Sequence, residues 1–453
     1  MEVDMVIRNG KVVTRDAVLE TGIAIDKGRF VAIARDRELP NARKVLDAGG
    51  HFILPGVVDE HVHLQDMERS AVSDFVSGST AAAVGGVTTV MEMPLTLPPT
   101  TTAEAFEKKK EVAVKKFIVD FALYGGAVPG NIKEIPKMVE AGAVGFKAMM
   151  AGSVPGIFEI LDDGLLLEAF RSIADCESVI TLHAENEAII NHLENRLKAD
   201  GRKDVRAFFE SRPVIQEVEA ISRAATLAKE AGCHLHIVHV SCPQGIDIIC
   251  QQKMEGQSLT AETGPHYLAL SEDDMERLGP YMKFAPPARS KTETEQLWQQ
   301  LADGKIDTLG SDDGAHEKEN KERGWKNIWE AGNGAIGIET MLPVMLSEGV
   351  NKNRISLQRL ISLVSENPAR IFGIYPQKGV IQVGSDADLV IVDMAKEHVI
   401  EAEKLHTKQK HTPYDGLKVK GMPVLTMVRG EAVMENGQVM GKPGYGRFVK
   451  PSR

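Results

Sequence analysis

Imidazole and carboxylate side chains recur in this sequence at the ends of short apolar segments. In His61-Val62-His63 the two histidines stand two residues apart, so on a strand both rings point to the same face. Lys147 is the single charged residue of a second apolar segment, and three further segments end in His183, His239 and Asp312. Neutral imidazoles and carboxylates are typical zinc ligands, so this pattern predicts a metal site if the segments converge.

Each of these residues also has an ordinary structural role as an alternative. A single strand-end histidine is usually a hydrogen-bonded core or surface residue, and Asp312 alone could cap the next helix. Lys147 alone is typical of a side chain that extends from a sheet edge to solvent. The placement of four histidines, one lysine and one aspartate at the same end of five strands favours the metal site. The remaining strand histidines are expected to lie elsewhere: His234 and His236 facing the outer helices, and His266 beside the site.

Eight strand candidates carry or flank these residues, and amphipathic helical patterns separate them. They cover residues 56–63, 86–93, 117–125, 143–150, 179–185, 234–241, 259–266 and 306–312. The clearest helical pattern covers 213–231, with Pro213 in its first turn and Gly232 after its end. Strand–helix alternation repeated eight times predicts a parallel (β/α)₈ barrel, with a doubly wound sheet left open by periodicity alone.

The two ends of the chain are predicted to form short strands and turns. Asn9-Gly10 predicts one hairpin, and Gly430-Glu431 predicts another. Pairing the two ends into one β-sandwich would bury the apolar faces of both. We therefore predict a β-sandwich domain of residues 1–54 plus 377–453 and a catalytic barrel of residues 55–376.

Composition excludes several classes of protein. The 453 residues include 53 Lys and Arg against 64 Asp and Glu, a net charge of −11 that argues against a nucleic-acid surface. Apolar runs are far shorter than the roughly 18 residues of a membrane span, and the first residues lack a secretory signal pattern. Four cysteines without a C-x-x-C motif predict no disulfide framework and favour a reducing, cytoplasmic location.

Together these motifs resemble those of the cyclic amidohydrolases, the group of hydantoinases, dihydropyrimidinases, allantoinases and dihydroorotases. The resemblance covers essentially the whole chain and is carried by residues 55–63, 145–147, 183–186, 239–241 and 310–312. Within the group, residues 120–126 and 148–156 are most similar to the bacterial L-hydantoinases.

This resemblance implies a site for two divalent metal ions, usually zinc, with manganese or cobalt as alternatives. His61, His63 and Asp312 would bind one ion, and His183 and His239 the other. Lys147 would be carboxylated by CO₂ and would bridge both ions. Because an ammonium beside two dications would be strongly repelled, the physics agrees with this modification. Asp312 would also act as general base and then general acid on a water activated between the ions.

The implied reaction is the opening of 5-substituted hydantoins to N-carbamoyl amino acids, with L-type or relaxed stereopreference. Asn333 would contact the cyclic ureide through its backbone, and Leu64 and Phe158 would line a pocket for the ring substituent. Gly152 and Ala285 stand where D-selective relatives carry a tyrosine and a serine.

Other activities remain as alternatives at this point. Allantoinase is the second possibility, dihydropyrimidinase the third, and a non-catalytic scaffold is disfavoured because all six ligands are present. The resemblance implies a homotetramer or homodimer that acts on a small molecule and binds neither nucleic acid nor membrane. One departure concerns the neighbour of Asp312, where the family commonly has histidine and this chain has Asp313, with His316 three residues on.

Overall fold

The computed structural model describes residues 2–152 and 154–452, and its centre is a closed barrel of eight parallel strands. In chain order the strands are Val57–His63, Val87–Glu92, Asp120–Leu123 with Gly125–Gly126, Phe146–Met149, Val179–His183, His234–Ile237, Leu259–Thr263, and Thr308–Leu309 with Asp313–Gly314. The third and eighth strands are each interrupted, and their two pieces pair with different neighbours, which closes the barrel. The predicted (β/α)₈ fold is therefore confirmed.

Helices cover the outside of the barrel. Val214–Ala231 follows Pro213 and ends at Gly232, whose φ of 65° is the left-handed conformation expected of a capping glycine. None of the helices in the described part of the chain has the length and apolar character needed to cross a membrane. The other α-helices are Phe75–Val84, Ala103–Val114, Ile135–Ala141, Asp163–Asp175, Glu187–Ala199, Val205–Glu210, Pro243–Met254, Pro265–Ala269, Met275–Leu278, Lys291–Ala302, Lys318–Glu322, Met341–Val344, Leu357–Ile361 and Asn367–Ile371.

The chain ends form two further sheets that share one core. One sheet has the order Arg29–Ala34, Gly22–Asp26, Val3–Arg8, Ala42–Asp47. The other has the order Gln438–Val439, Glu431–Glu435, Lys418–Val428, Leu389–Val399, Phe52–Pro55, Lys11–Val13, Val18–Glu20. Ile7 and Phe30 of the first sheet belong to the same buried apolar cluster as Ile53 and Leu389 of the second. Burial of both inner faces accounts for the sandwich, while its boundaries at residues 54 and 377 stay a prediction.

Asn9-Gly10 does not form the predicted hairpin. Val3–Arg8 pairs with Gly22–Asp26 and Ala42–Asp47, whereas Lys11–Val13 belongs to the other sheet. A Cβ on Gly10 would lie 2.4 Å from Cδ1 of Ile53, so this glycine allows a close approach where the chain crosses between sheets. The C-terminal hairpin of Lys418–Val428 and Glu431–Glu435 is confirmed.

The histidines of the sixth strand do not face the outer helices as predicted. His234 and His236 both lie within hydrogen-bond distance of Thr260 Oγ1, and His236 is fully buried with Nε2 3.9 Å from the Glu262 carboxylate. The prediction assumed that side chains alternate regularly between the two faces from residue 234 to residue 239. The strand ends at Ile237, however, and His239 has a φ of 42°, so the alternation does not extend to His239. The side-chain orientation of His239 therefore says nothing about residues 234 and 236.

Candidate metal centre

One cavity of about 440 Å³ at the C-terminal end of the barrel is lined by all six predicted ligand residues: His61, His63, Lys147, His183, His239 and Asp312. Within it, Nε2 of His61 lies 3.2 Å from Nε2 of His63 and 3.2 Å from Oδ1 of Asp312. The remaining side of this triangle, from His63 Nε2 to Asp312 Oδ1, is 3.5 Å. Ligands about 2.0–2.1 Å from a tetrahedral zinc ion are about 3.3–3.4 Å apart, so this triangle has the size of one face of such a site.

A second pair of donors lies beside this triangle. Nδ1 of His183 is 3.0 Å from Nε2 of His239, and the centroids of the His61 and His239 rings are 5.5 Å apart. Both histidines of this pair are buried. The cavity therefore contains two adjacent groups of donors, one with two imidazoles and a carboxylate and one with two imidazoles.

Buried carboxylates fix which nitrogen of two of these histidines carries the lone pair. Glu262 accepts a hydrogen bond from Nδ1 of His61 at 2.9 Å, and Glu185 lies 2.8 Å from Nε2 of His183. Because those nitrogens donate, the lone pairs of His61 Nε2 and His183 Nδ1 point toward the other donors. Lone pairs brought together in this way repel each other unless a cation lies between them, so the donor set fits a metal-binding role.

Glu262 and Glu185 were not predicted from the sequence. Glu262 also accepts the backbone N–H of His239 at 3.0 Å, so it contacts one residue of each donor group. The available signal was position, since Glu262 lies near the end of the seventh strand and Glu185 follows the fifth.

Two of the candidate ligands adopt left-handed backbone conformations. His239 has a φ of 42° and Asp312 a φ of 48°, which non-glycine residues rarely adopt and which cluster at functional sites. Burial alone raises the pKa of the Asp312 carboxyl, but the neighbouring His61, His63 and His239 rings hold that pKa well below its usual range. Asp312 is therefore an ionised acceptor at neutral pH.

Lys147 is buried in the wall of the same cavity, at 2% exposure. Among the residues that the structure describes, no hydrogen bond or ion pair of its Nζ is found. Burial lowers the pKa of Lys147 to about 8, against the opposing effect of the Asp312 and Glu262 charges. With this pKa about half of the side chain is an uncharged amine at pH 8 and about a tenth at pH 7, far more than for an ordinary lysine.

Only some of the residues predicted to contact substrate line the cavity. Asn333 and Phe158 line the cavity, and so do Gly152 and Ala285. Leu64 is not among the lining residues; its 1% exposed side chain packs against Gly78, where a Cβ would lie 2.3 Å from Leu64 Cδ2. The prediction for Leu64 is wrong because this side chain points into the core under the helices rather than into the cavity. Further apolar side chains complete the cavity wall: Leu95, Leu97, Met149, Val154, Ile157 and Phe284.

Asp313, which stands where the family commonly has histidine, bonds to backbone groups rather than to a candidate ligand. Its Oδ1 accepts the backbone N–H groups of Gly337 and Ile338, and burial raises its pKa to about 6. His316 lines the cavity, with its Nε2 2.7 Å from the carbonyl oxygen of Asn333. His266 lies in the helix Pro265–Ala269 rather than on the seventh strand, and its ring packs against Tyr267 and Phe284.

Comparison with known proteins places this arrangement in a family. Residues 52–433 match the model of the amidohydrolase family. The chain belongs to that family. It is 53% identical to an L-hydantoinase of Paenarthrobacter aurescens, over 98% of each chain, and 39% identical to an allantoinase of Rubrobacter xylanophilus, over 99% of this chain and 98% of that one.

A solved structure gives the same picture of this amidohydrolase. The L-hydantoinase (dihydropyrimidinase) from Arthrobacter aurescens matches with a TM-score of 0.98 at 53% identity, covering 99% of this chain and 100% of the other. A D-hydantoinase crystal structure matches with a TM-score of 0.92 at 36% identity, over 99% of each chain. These matches confirm the resemblance and the fold class predicted from the sequence.

Proposed function

We propose that this chain is a binuclear-metal cyclic amidohydrolase that opens 5-substituted hydantoins to N-carbamoyl amino acids, with L-type or relaxed stereopreference. The observation that carries the proposal is the convergence of two donor groups and Lys147 on one cavity, part of whose wall is apolar. Full-length identity of 53% to a protein named L-hydantoinase supports the choice of substrate class.

In this proposal His61, His63 and Asp312 hold one divalent ion and His183 and His239 the other. Zinc is the metal we favour, with manganese or cobalt as alternatives, because imidazole nitrogen and carboxylate oxygen at these separations suit a tetrahedral ion. When bound, the pair of ions would polarise the ring carbonyl and bring the pKa of water to about 7.

In this proposal Lys147, as a carbamate, would supply oxygen ligands to both ions. The ammonium first loses one proton; the uncharged Nζ then forms a bond to the carbon of CO₂ and loses a second proton. A cationic side chain would thereby become an anionic carbamate with oxygen ligands. The depressed pKa of Lys147 supports this step because only the free amine reacts. Lys147 lines the same cavity as the histidines of both groups and, besides burial, its charge lowers the pKa of one of each, His63 and His239, which supports the bridging role.

Asp312 is the proposed proton carrier. Its carboxylate accepts one proton of the attacking water and passes it to the ring nitrogen as the carbon–nitrogen bond breaks. The ring carbonyl carbon becomes a carboxylic acid, which loses its remaining proton to solvent. The backbone of Asn333 would hold the ureide, and the apolar wall that includes Phe158 would take the 5-substituent and exclude water. That wall favours an apolar substituent over the polar ureido group of allantoin.

A substrate panel on metal-quantified protein tests the proposal. We expect turnover of L-5-benzylhydantoin, with kcat/KM above the values for allantoin and dihydrouracil measured side by side. A kcat/KM that is higher for allantoin would make this chain an allantoinase, and no opening of any hydantoin would refute the proposal. Equal rates for both hands of the hydantoin would leave the chemistry intact and remove the L-type preference.

The same proposal includes the setting of the enzyme. We expect a homotetramer or a homodimer in a reducing cytoplasm, which its four free cysteines permit. Light scattering on the purified protein measures the oligomeric state.

A further inference from the structure

The loop of residues 331–334, which carries Asn333 into the cavity, is held by an unusual number of side-chain hydrogen bonds. The carbonyl oxygens of Gly332 and Gly334 both accept from Nζ of Lys321, at 3.1 and 2.8 Å. The amide N–H of Gly332 donates to Oδ1 of Asn320 at 2.8 Å. Both clamping residues lie on the short helix Lys318–Glu322, so one element holds the loop on both sides of Asn333.

Lys321 is fully buried although its sequence context, Lys-Glu-Asn-Lys-Glu, is typical of a solvated helix. Its third hydrogen bond goes to the carbonyl oxygen of Lys283 at 3.0 Å, and no carboxylate of the described residues pairs with it. Burial and the nearby Lys283 cation lower its pKa, while three carbonyl acceptors match the three donors of an ammonium group. A buried lysine that gives all its donors to backbone carbonyls fixes the shape of the backbone that it contacts.

At Asn333 the backbone carbonyl group has a hydrogen-bond partner, and the backbone N–H has none among the described residues. Its carbonyl oxygen lies 2.7 Å from Nε2 of His316, whereas its N–H has no acceptor among the residues that the structure describes. The loop has little room to move, since a Cβ on Gly332 would lie 2.4 Å from Nδ1 of His316. The free N–H therefore belongs to a rigid segment of the cavity wall.

We propose that Lys321 and Asn320 are positioning residues that hold the Asn333 N–H toward the cavity, where it donates to a carbonyl oxygen of the cyclic ureide. This inference rests on the proposed function for its substrate and on the hydrogen-bond network for its geometry. Neither residue lines the cavity, so both act through the loop. A donor that is fixed in place before the substrate arrives costs no ordering on binding.

The test uses full-length, metal-loaded protein and four variants. Lys321→Met removes the ammonium at similar length, and Asn320→Ala removes the acceptor for Gly332. Asn320→Asp keeps an acceptor oxygen at the same place and should rescue the parent behaviour. Lys318→Met is the matched control, because Lys318 is on the same helix and pairs with the exposed Glu403.

Four quantities are measured for each variant: metal ions per chain, KM for L-5-benzylhydantoin, kcat for the same substrate, and hydrogen exchange of the peptide that contains residues 331–334. We expect Lys321→Met and Asn320→Ala to speed loop exchange at least tenfold and to raise KM about three- to tenfold, the effect of one hydrogen bond. The kcat value should stay within threefold and the metal content should not change. Asn320→Asp and Lys318→Met should match the parent in all four quantities.

Unchanged loop exchange in both loss variants would overturn the clamp, and faster exchange without a rise in KM would overturn its role in substrate binding. If Lys321→Met does not fold, the two Asn320 variants decide, because that side chain is only half-buried. A parent protein that opens no hydantoin would refute the proposed function and with it the substrate part of this inference, while exchange would still decide the clamp.

Discussion

Replacing Glu262 with glutamine should weaken metal binding without removing any ligand. The buried Glu262 carboxylate accepts from Nδ1 of His61 at 2.9 Å and from the backbone N–H of His239 at 3.0 Å, so it orients one residue of each donor group. Both bonds are accepted by Oε1, so the amide oxygen of glutamine, which has the same size, can keep them, and the substitution removes the negative charge that strengthens them. Loss of such an outer carboxylate typically costs 10- to 100-fold in metal affinity. That range corresponds to about 1.4–2.8 kcal/mol of binding free energy.

Competition with a chromophoric chelator measures this change in affinity, and metal analysis gives the number of ions per chain. Glu60→Gln is the matched control, since this carboxylate belongs to the same buried group as Glu262 yet has no hydrogen-bond partner among the described residues. We expect the control to stay within about threefold of the parent, because it removes no bond to a ligand. An unchanged affinity in Glu262→Gln, with the parent's melting temperature, would refute the orienting role of this carboxylate.

Three further outcomes follow from the site. Lys147→Ala should lower the metal content from two ions toward one or none, with partial recovery in added formate or acetate; two retained ions would contradict the bridge. Asp312→Asn should lower kcat by about 10²–10⁴-fold, more than it raises KM, because the proton carrier is lost; equal loss in both would indicate a binding role. Burial lowers the pKa of His266 to about 4, so the unfolded state, with a pKa near 6.5, binds the proton first as pH falls. Between pH 7 and pH 5 this proton uptake should lower the free energy of unfolding of the parent. His266→Phe lacks the titrating ring, so its free energy of unfolding should fall by about 2 kcal/mol less than that of the parent over the same range.

The sequence predicted the barrel because its signal is local. Each apolar strand is short, several helices such as Asp163–Asp175 and Val214–Ala231 are amphipathic, and Pro213 and Gly232 mark the ends of the latter as the structure has them. The interruption of the eighth strand was not predictable, since it coincides with a left-handed φ at Asp312 that residue type alone does not indicate. Asn9-Gly10 was also not predictable, because the same dipeptide can form a hairpin turn or a crossing between two sheets. Here the close approach of Gly10 to Ile53 favours the crossing.

The candidate site was predictable only as far as residue type indicates chemistry. Histidine, lysine and aspartate at strand ends attract attention, whereas Glu262 in the barrel wall and Lys321 in a charged run resemble ordinary structural or surface residues. Their roles depend on burial and on partners far apart in the sequence, and Lys321 shows this best, since its acceptors belong to residues 283, 332 and 334. Leu64 is the opposite case. Its position directly after His63 suggested a contact with substrate, but its side chain packs in the core.

Charge balance connects the proposed carbamate to the carboxylates around it. Asp312 is itself a donor, and Glu262 and Glu185 lie at hydrogen-bond distance from donor histidines, with Arg212 3.8 Å from Glu185. A carbamate at Lys147 would add a further anion to offset two dications, whereas an ammonium there would add positive charge in a poorly solvated place. The Glu262→Gln and Lys147→Ala variants therefore change the same balance, and each should weaken the binding of both ions rather than of the nearer one alone.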